Sequence, residues 1–587
     1  MSNQEIAKLF RQVATAYTIE DEKKYRFQII AYQRAADTIE SAVTEISDLF
    51  KEGKLDELAG VGPSIQQHLT ELCKTGHVAH FDSVLKQIPQ SVFPLMEVAS
   101  FGPKKAYKLV THFHLNDPKT VIADVKKLAE KGEIAKLEGF GDKSQSEMLK
   151  GINEYLQGHV ATERMPLPFA NELAEQVIEY MKKCPEVKEI YPLGSLRRKV
   201  STVGDIDLGV STNEAQIVLD HFEKFPYASR VLDSGKSIAS LLATNGKRID
   251  IKTQSPQAFG ALLQHFTGSK EHNVHLREIA LKKVLSLSEY GIKNLKSEKM
   301  KEYKTEEEFY SALDMQWIPP EMRENTGEIE LAQKKQIPKL LELKDIQGDL
   351  HTHSSFPIEP SHDLGINTFE EMLNKAKSLG YSYLAFSEHN PSTSKHTNDQ
   401  VYNLIKKRNN ELDKIYSNIK SVRIIKMLET DILSTGALGI DNNSLDLLDA
   451  TIVSIHSVFN MDKESMTERI LKGLSHPKAK ILAHPTGRLI NNRKGYDVNW
   501  DKLFEFCAKY DKALEINASP FRLDLLDSLV RQALKYKIKF SLGTDSHGLE
   551  QMDFMQYGVS VARRGWLTKD NVLNCMEYDK ILTWLRR

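Results

Sequence analysis

Long apolar runs are missing from this sequence. No stretch approaches the ~20 consecutive apolar residues that a membrane-spanning helix needs, which excludes a membrane role. The start, MSNQEIAKLF, has neither a basic stretch before an apolar run nor a small-residue cleavage site, so no secretory leader is expected and the location is read as cytoplasmic. Cysteine is scarce: Cys73, Cys184, Cys507 and Cys575 stand far apart with no CxxC pair, which excludes zinc fingers and a disulfide framework. Charge of one sign is also absent, with 79 basic against 80 acidic residues, so any nucleic-acid footprint must be local. No coiled-coil heptad or other assembly element is present, and a monomer is expected. What remains is a chain of 587 residues, 41% apolar and 27% charged, the composition of a globular protein long enough for several separately packed domains.

The first ~155 residues alternate helical periodicity with three glycine turns: Leu58-Ala-Gly-Val-Gly-Pro63, Val98-Ala-Ser-Phe-Gly-Pro103 and Leu137-Glu-Gly-Phe-Gly-Asp142. A glycine turn that opens a helix leaves backbone N–H groups free at the surface, where a phosphate can sit without regard to base sequence. One such turn is more often a simple helix cap; three form an imperfect repeat. The repeat resembles the helix-hairpin-helix family and implies DNA-backbone binding at Gly60, Gly62, Gly139 and Gly141. Ser100 replaces the first glycine of the middle copy.

The strongest constellation of the first half is Gly194-Ser-Leu-Arg-Arg198, Val203-Gly-Asp-Ile-Asp-Leu208 and Arg248-Ile-Asp-Ile-Lys252. Alternation along a strand puts Asp205 and Asp207 on one face with Ile206 on the other, and Asp250 lies in a second alternating run that can pair alongside. Three hard oxygen ligands suit Mg²⁺ or Mn²⁺, and two such ions activate a hydroxyl and stabilise a leaving pyrophosphate. Gly194 and Ser195 are expected to open a helix whose amides, with the Ser195 hydroxyl and the Arg198 guanidinium, hold a triphosphate.

The segment His265-Phe-Thr-Gly-Ser-Lys-Glu-His-Asn273, continuing to Arg277, resembles the thumb of family X DNA polymerases. That resemblance implies that Phe266 and Gly268 flank the incoming sugar, that Asn273 approaches the base edge and that Arg277 touches the template strand. His265 stands where the family commonly has tyrosine. His68 stands where members with deoxyribose-phosphate lyase activity have lysine, and it offers no amine for a Schiff base, so strong lyase activity is not expected. Tyr32 matches a DNA-holding position, with a core aromatic the equal alternative.

Beyond about residue 320, short apolar runs repeatedly end in a potential ligand, with helix-like segments between them. Alternating strand and helix predicts a (β/α) barrel, and ligands at the carboxyl ends of its strands converge on one face. Mixed histidine and carboxylate donors without cysteine suit a catalytic Zn²⁺ or Mn²⁺ cluster. The residues His351, His353, His389, Glu429, His456, His484, Asp545 and His547 resemble the ligand set of the polymerase and histidinol phosphatase (PHP) family, which implies up to three metal ions activating water against a phosphate ester. One acid of that pattern is displaced, and Asp363 or Glu359 stands in for it.

The expected fold is therefore multidomain α/β. A helical domain with the first helix-hairpin-helix covers 1–85 and a fingers-like helical domain 86–158. A nucleotidyltransferase α+β palm follows over 159–258, a thumb over 259–320 and a linker over 321–345. A distorted (β/α) barrel of PHP type spans 346–587. The resemblance implies a DNA polymerase that fills short gaps in base excision repair, taking gapped double-stranded DNA and deoxynucleoside triphosphates. Its PHP domain would be a 3′–5′ exonuclease that also cuts at abasic sites or removes 3′-phosphates. Three other readings stay open: a PHP phosphoesterase carried to DNA by an idle polymerase-like module, a polymerase whose PHP half is only a scaffold, and a small-molecule nucleotidyltransferase.

Overall fold

In the computed structural model of the protein, the described residues are 1, 3–41, 46–53, 55, 61–96, 98, 101–156, 164–418 and 421–587. The N-terminal part is helical. Helices Asn3–Asp21 and Arg26–Ser41 close over a core of Phe10, Tyr32 and Phe81, and a second core gathers Val92, Leu109, Val125, Ile134 and Met148. Helices Pro63–Thr75 and Pro103–His112 each begin with proline directly after a glycine N-cap, Gly62 and Gly102. Proline suits that position because its missing N–H is one of the unpaired groups of a helix start. Neither helix has a side-chain cap, so first-turn amides other than that of Ile65, which turns back to the Gly62 carbonyl at 3.0 Å, are left for an external acceptor.

The central sheet consists of β1 (Glu189–Pro192), β2 (Ile206–Ser211), β3 (Ala228–Ser234), β4 (Ile238–Ala243) and β5 (Arg248–Gln254), in the order β1-β2-β5-β4-β3. Only β2 and β5 run parallel. Ile206, Leu208 and Val210 of β2 join Ile249 and Ile251 of β5 under helices Leu167–Met181 and Ala215–Phe222. The opposite face takes helix Phe259–Thr267, and Gly209 lets it pack closely: a Cβ on it would lie 2.8 Å from Leu262 Cδ2.

Segment 321–345 differs from its reading as a linker. Met322, Ile329, Ala332 and Leu340 are buried in one core with Leu276, Phe309 and Tyr310, and Arg323 and Glu328 are fully buried among polar partners. Proline, glycine and lysine in this stretch mark turns on the surface of a packed unit rather than a free connection.

The C-terminal part holds the parallel strands β6 (Gly348–Asp349), β7 (Tyr383–Phe386), β8 (Arg423–Lys426), β9 (Glu429–Asp431), β10 (Thr451–Ser454), β11 (Ala479–Leu482), β12 (Ala513–Asn517) and β13 (Lys539–Gly543). Two arcs form, β6-β7-β8 and β9 to β13 in sequence order. β8 and β9 are one strand interrupted at Met427 and Leu428, and single bridges His389–Glu429 and Thr352–Ser546 join the arcs into a ring. This is the expected barrel, distorted where the strand breaks. Its interior is Leu350, Ala385, Ile425, Ile452, Ile481 and Ala513, and every β-to-α loop opens at the same end.

Candidate active sites

The first site sits where β2 and β5 lie side by side. Asp207 and Asp250 are direct partners in the parallel register, and Asp205 immediately precedes β2. The loop into the adjoining turn is pinned to the same strand, because the Leu193 N–H donates to the Asp207 carbonyl at 2.8 Å. The expected helix at Gly194 is a single turn, Gly194–Arg197. Gly194 has φ +54°, and a Cβ there would come within 3.1 Å of the Asp207 carboxylate, so glycine is needed both for the turn and for the approach of the acid.

The three carboxylates repel one another. Desolvation first, and then the charges of Asp207 and Asp250, raise the Asp205 carboxyl above its ordinary range. Positive charge is supplied from within the sheet. Lys252 Nζ lies 2.6 Å from Asp207 and Arg248 Nε 2.8 Å from Asp250. Lys252 also stands 5.0 Å over the ring of Phe266, which brings that residue beside the acids. Such a set of hard, mutually repelling oxygens fits divalent cations.

The expected nucleotide-binding residues lie around this site but are already engaged. Arg198 donates from Nε to Glu324 at 3.0 Å and from Nη1 to the Thr267 carbonyl at 2.5 Å. A Cβ on Gly268 would meet the same Nη1 at 3.1 Å. Both ends of the Asn273 amide are held, accepting from Gln264 and donating to the His265 carbonyl, while Arg277 is exposed on helix Lys270–Lys282. Arg197, which the sequence did not single out, forms with Glu306 and Arg323 a buried ion triad under the turn. Although burial acts to raise it, the guanidiniums of Arg323 and Arg197 hold the Glu306 carboxyl down to about 2.

In the helical part, Gly62, Gly139 and Gly141 stand with open space or only the end of Lys108 where a Cβ would be, while Gly60 and Ser100 lie outside the described residues. Tyr32 is buried beside His68, whose ring stacks on His80 at 5.3 Å.

The second site lies at the open end of the barrel. Glu429, fully buried on β9, is its centre. Its carboxylate is 3.2 Å from His351, 3.6 Å from His353, 3.1 Å from His389, 3.2 Å from His456 and 2.9 Å from His484. Asp545 lies 3.2 Å from His353, and the His547 ring stacks on His353 with centroids 4.1 Å apart. Asp363 lies 3.4 Å from His389 and 3.7 Å from His547, whereas Glu359 binds His396 outside the cluster.

Burial first, and then the neighbouring His547 and His389, push His353 well below its usual range, which keeps the ring neutral with a lone pair to give. Neither His353 ring nitrogen nor Nε2 of His547 has a hydrogen bond of normal geometry, although each is buried. Four overlapping groups, each with donor atoms within 4.8 Å of one another, occur among the described residues. Orphaned imidazole nitrogens beside carboxylates are donors that fit transition-metal ions.

Three residues of this site escaped the sequence. Glu515 on β12 accepts from His351 Nδ1 at 2.6 Å and from the His484 N–H at 2.7 Å, fixing both histidines from behind. A lone acid in the apolar run Ala513–Asn517 was its signal. Asp431 holds His456 Nδ1 at 2.7 Å, and His362 reaches Asp431 at 3.1 Å.

Comparison with known proteins follows the same division. Family models match for a helix-hairpin-helix domain over residues 1–78, a DNA polymerase beta thumb over 262–324 and a PHP domain over 349–519. The DNA polymerase/3′-5′ exonuclease PolX of Bacillus subtilis (strain 168) is 30% identical, with all of both chains covered. A probable phosphatase of Thermoanaerobacter sp. (strain X514) is 24% identical over 40% of this chain and 94% of its own length, and one of Caldicellulosiruptor saccharolyticus is 22% identical over 34% and 80%.

Proposed function

Because this chain belongs to the family X DNA polymerases that carry a C-terminal PHP domain, and is thus a DNA polymerase with a PHP 3′–5′ exonuclease, we propose that it fills short gaps during DNA repair from two separate metal-dependent sites. The observation that carries the reading is the direct pairing of Asp207 with Asp250 across two parallel strands beside Asp205. We assign all three to Mg²⁺ or Mn²⁺, which when bound would supply the two-ion chemistry of nucleotidyl transfer. The turn with Gly194, Ser195 and Arg198 takes the triphosphate. Phe266, Gly268 and Asn273 shape the sugar and base pocket, and Arg277 meets the template.

In the PHP half, His351, His353, Asp363, His389, Glu429, His456, His484, Asp545 and His547 hold a Zn²⁺ or Mn²⁺ cluster, whose chemistry when bound is to lower the pKa of water for attack on a phosphodiester. Glu515 and Asp431 orient His351 and His456. The same site serves abasic-site cleavage or 3′-phosphate removal. With His68 in place of an amine, the N-terminal helices bind DNA without lyase chemistry.

A one-nucleotide-gapped, 5′-phosphorylated duplex with Mn²⁺, followed at its labelled upstream 3′ end, tests both assignments. Asp207→Asn should abolish extension and leave shortening intact; His484→Ala should do the reverse. Extension that survives Asp207→Asn refutes the first assignment, and shortening that survives His484→Ala refutes the second.

A further inference from the structure

The turn assigned to the triphosphate rests on two ion networks. The triad of Arg197, Glu306 and Arg323 lies wholly within the polymerase half. The other leaves it. Glu324 Oε1 accepts from Arg198 Nε at 3.0 Å and, on the same oxygen, from Arg564 Nη1 at 2.9 Å. Arg564 is the last residue of helix Met555–Arg564 in the PHP half. Its Nη1 also donates to the Arg198 carbonyl at 2.8 Å, and its Nε and Nη2 close on Asp527 at 2.7 and 2.6 Å. The side chain is only 8% exposed. The neighbouring Arg563 pairs with Glu321 at 2.8 Å, so two successive arginines of the PHP half grip the segment that carries Glu324.

A guanidinium grips a phosphate best through two parallel N–H groups, and it has two edges that can do so, one with Nη1 and Nη2 and one with Nε and Nη2. In Arg198 the edge with Nε has that donor taken by Glu324, while Nη1, which carries two N–H groups, gives one to the Thr267 carbonyl. A bidentate grip on a triphosphate through the Nε edge therefore requires Arg198 to let go of Glu324. Releasing Glu324 would strand a half-buried carboxylate, which is costly, unless a second cation already compensates it. Arg564 is that cation.

We propose that Arg564 of the PHP half is a positioning residue for nucleotide binding by the polymerase half: it keeps Glu324 paired, so that Arg198 can exchange Glu324 for the incoming triphosphate. The proposal rests on the reading of Arg198 as a triphosphate ligand. Without Arg564, Glu324 has Arg198 alone as its cation and holds it more tightly, and the nucleotide must compete against that stronger pair.

Steady-state gap filling by the full-length protein, with KM for the deoxynucleoside triphosphate and kcat measured separately, tests this. Arg564→Met should raise KM roughly tenfold, within the span of coupling between directly contacting charged residues, with kcat and 3′–5′ shortening unchanged. Arg564→Lys should recover most of the loss. Glu324→Gln combined with Arg564→Met should also recover it, because the amide no longer holds Arg198 as an ion pair. An unchanged KM in Arg564→Met overturns the proposal. So does a KM that stays raised in the double variant, which marks a merely structural contact. Arg198→Ala separates the two levels of inference: an unchanged KM there removes the triphosphate reading itself, whereas a raised KM there with none in Arg564→Met removes only the role of Arg564.

Discussion

Glu515 shows how much one side chain can fix. Its two oxygens reach His351 Nδ1 and the backbone of His484, and a Cβ on Gly543 of the adjacent strand would lie 2.2 Å from it, so strand, acid and histidine are packed as one piece. A carboxylate behind a ligating histidine sets its tautomer and raises its basicity, and losing such a partner costs about 10–100-fold in metal affinity or activity. Glu515→Gln is accordingly expected to weaken Mn²⁺ binding, measured by calorimetry, and 3′–5′ shortening by that factor while gap filling is untouched; equal metal affinity in the variant would refute the assignment. The proposed donors stand out in the sequence because their chemistry is concentrated in short strings such as Asp205-Ile-Asp207 and His351-Thr-His353. Glu515 and Asp431 were not, since a single acid in an apolar strand acquires meaning only when a residue far away in sequence closes on it. Lys252 and Arg248 illustrate the same limit: the register of β2 and β5, rather than composition, pairs Lys252 with Asp207, while Arg248 reaches Asp250 two residues along its own strand.

At the level of elements, the recurrence of an apolar run followed by a ligand pointed to a barrel and marked the strands β6 to β11 and β13, because each of those strand ends delivers its donor to one face; β12, Ala513–Asn517, was not among them. The stretch 321–345 departs from the expected linker for an opposite reason: its turn residues are visible in sequence, whereas Met322, Ile329 and the buried Arg323 reveal their partners only in three dimensions. Arg323, Glu306 and Arg197 tie this stretch, helix Glu306–Ala312 and the turn at Gly194 into one unit. Glu306→Gln leaves two guanidiniums without their carboxylate, a loss of about 3–5 kcal/mol for a broken buried pair. Because the folded-state carboxyl is depressed from an ordinary 4.5 to about 2, its contribution is fully present above about pH 4.5 and is lost as pH falls towards about 2. Denaturant unfolding, read from the fluorescence of Trp317, whose indole donates to Glu306 at 3.3 Å, should therefore separate the variant from the parent at pH 7 and bring them together in acid. A gap that persists unchanged at acid pH would contradict the ion-triad account.

Across the whole molecule, the division into a helical DNA-binding part, a polymerase part and a barrel could be read from the order of motifs, but the surfaces between them could not. Asn492 of a barrel loop meets Gln33 of the helical part, Asn491 meets the Arg164 carbonyl, and Arg563 and Arg564 reach the segment around Glu324. No local pattern encodes contacts between residues hundreds of positions apart. The same separation determines how metal removal should act. The barrel's donors are mostly buried and crowd around Glu429, so an ion that binds the folded barrel and not the unfolded chain stabilises it by mass action, about 2.7 kcal/mol at a hundredfold excess over its Kd. For a unit of this size each kcal/mol moves the midpoint by roughly 2–4 °C, so a shift of roughly 5–10 °C is expected. Chelated protein scanned by calorimetry should show the barrel melting early, Mn²⁺ should move that transition upward, and Glu429→Gln should abolish the movement. The transition of the polymerase half should respond less, since Asp205 is exposed and Lys252 and Arg248 already offset its acids. A chelated barrel whose midpoint stays fixed as Mn²⁺ is added would mean that the histidines around Glu429 are a packed polar core rather than a metal centre.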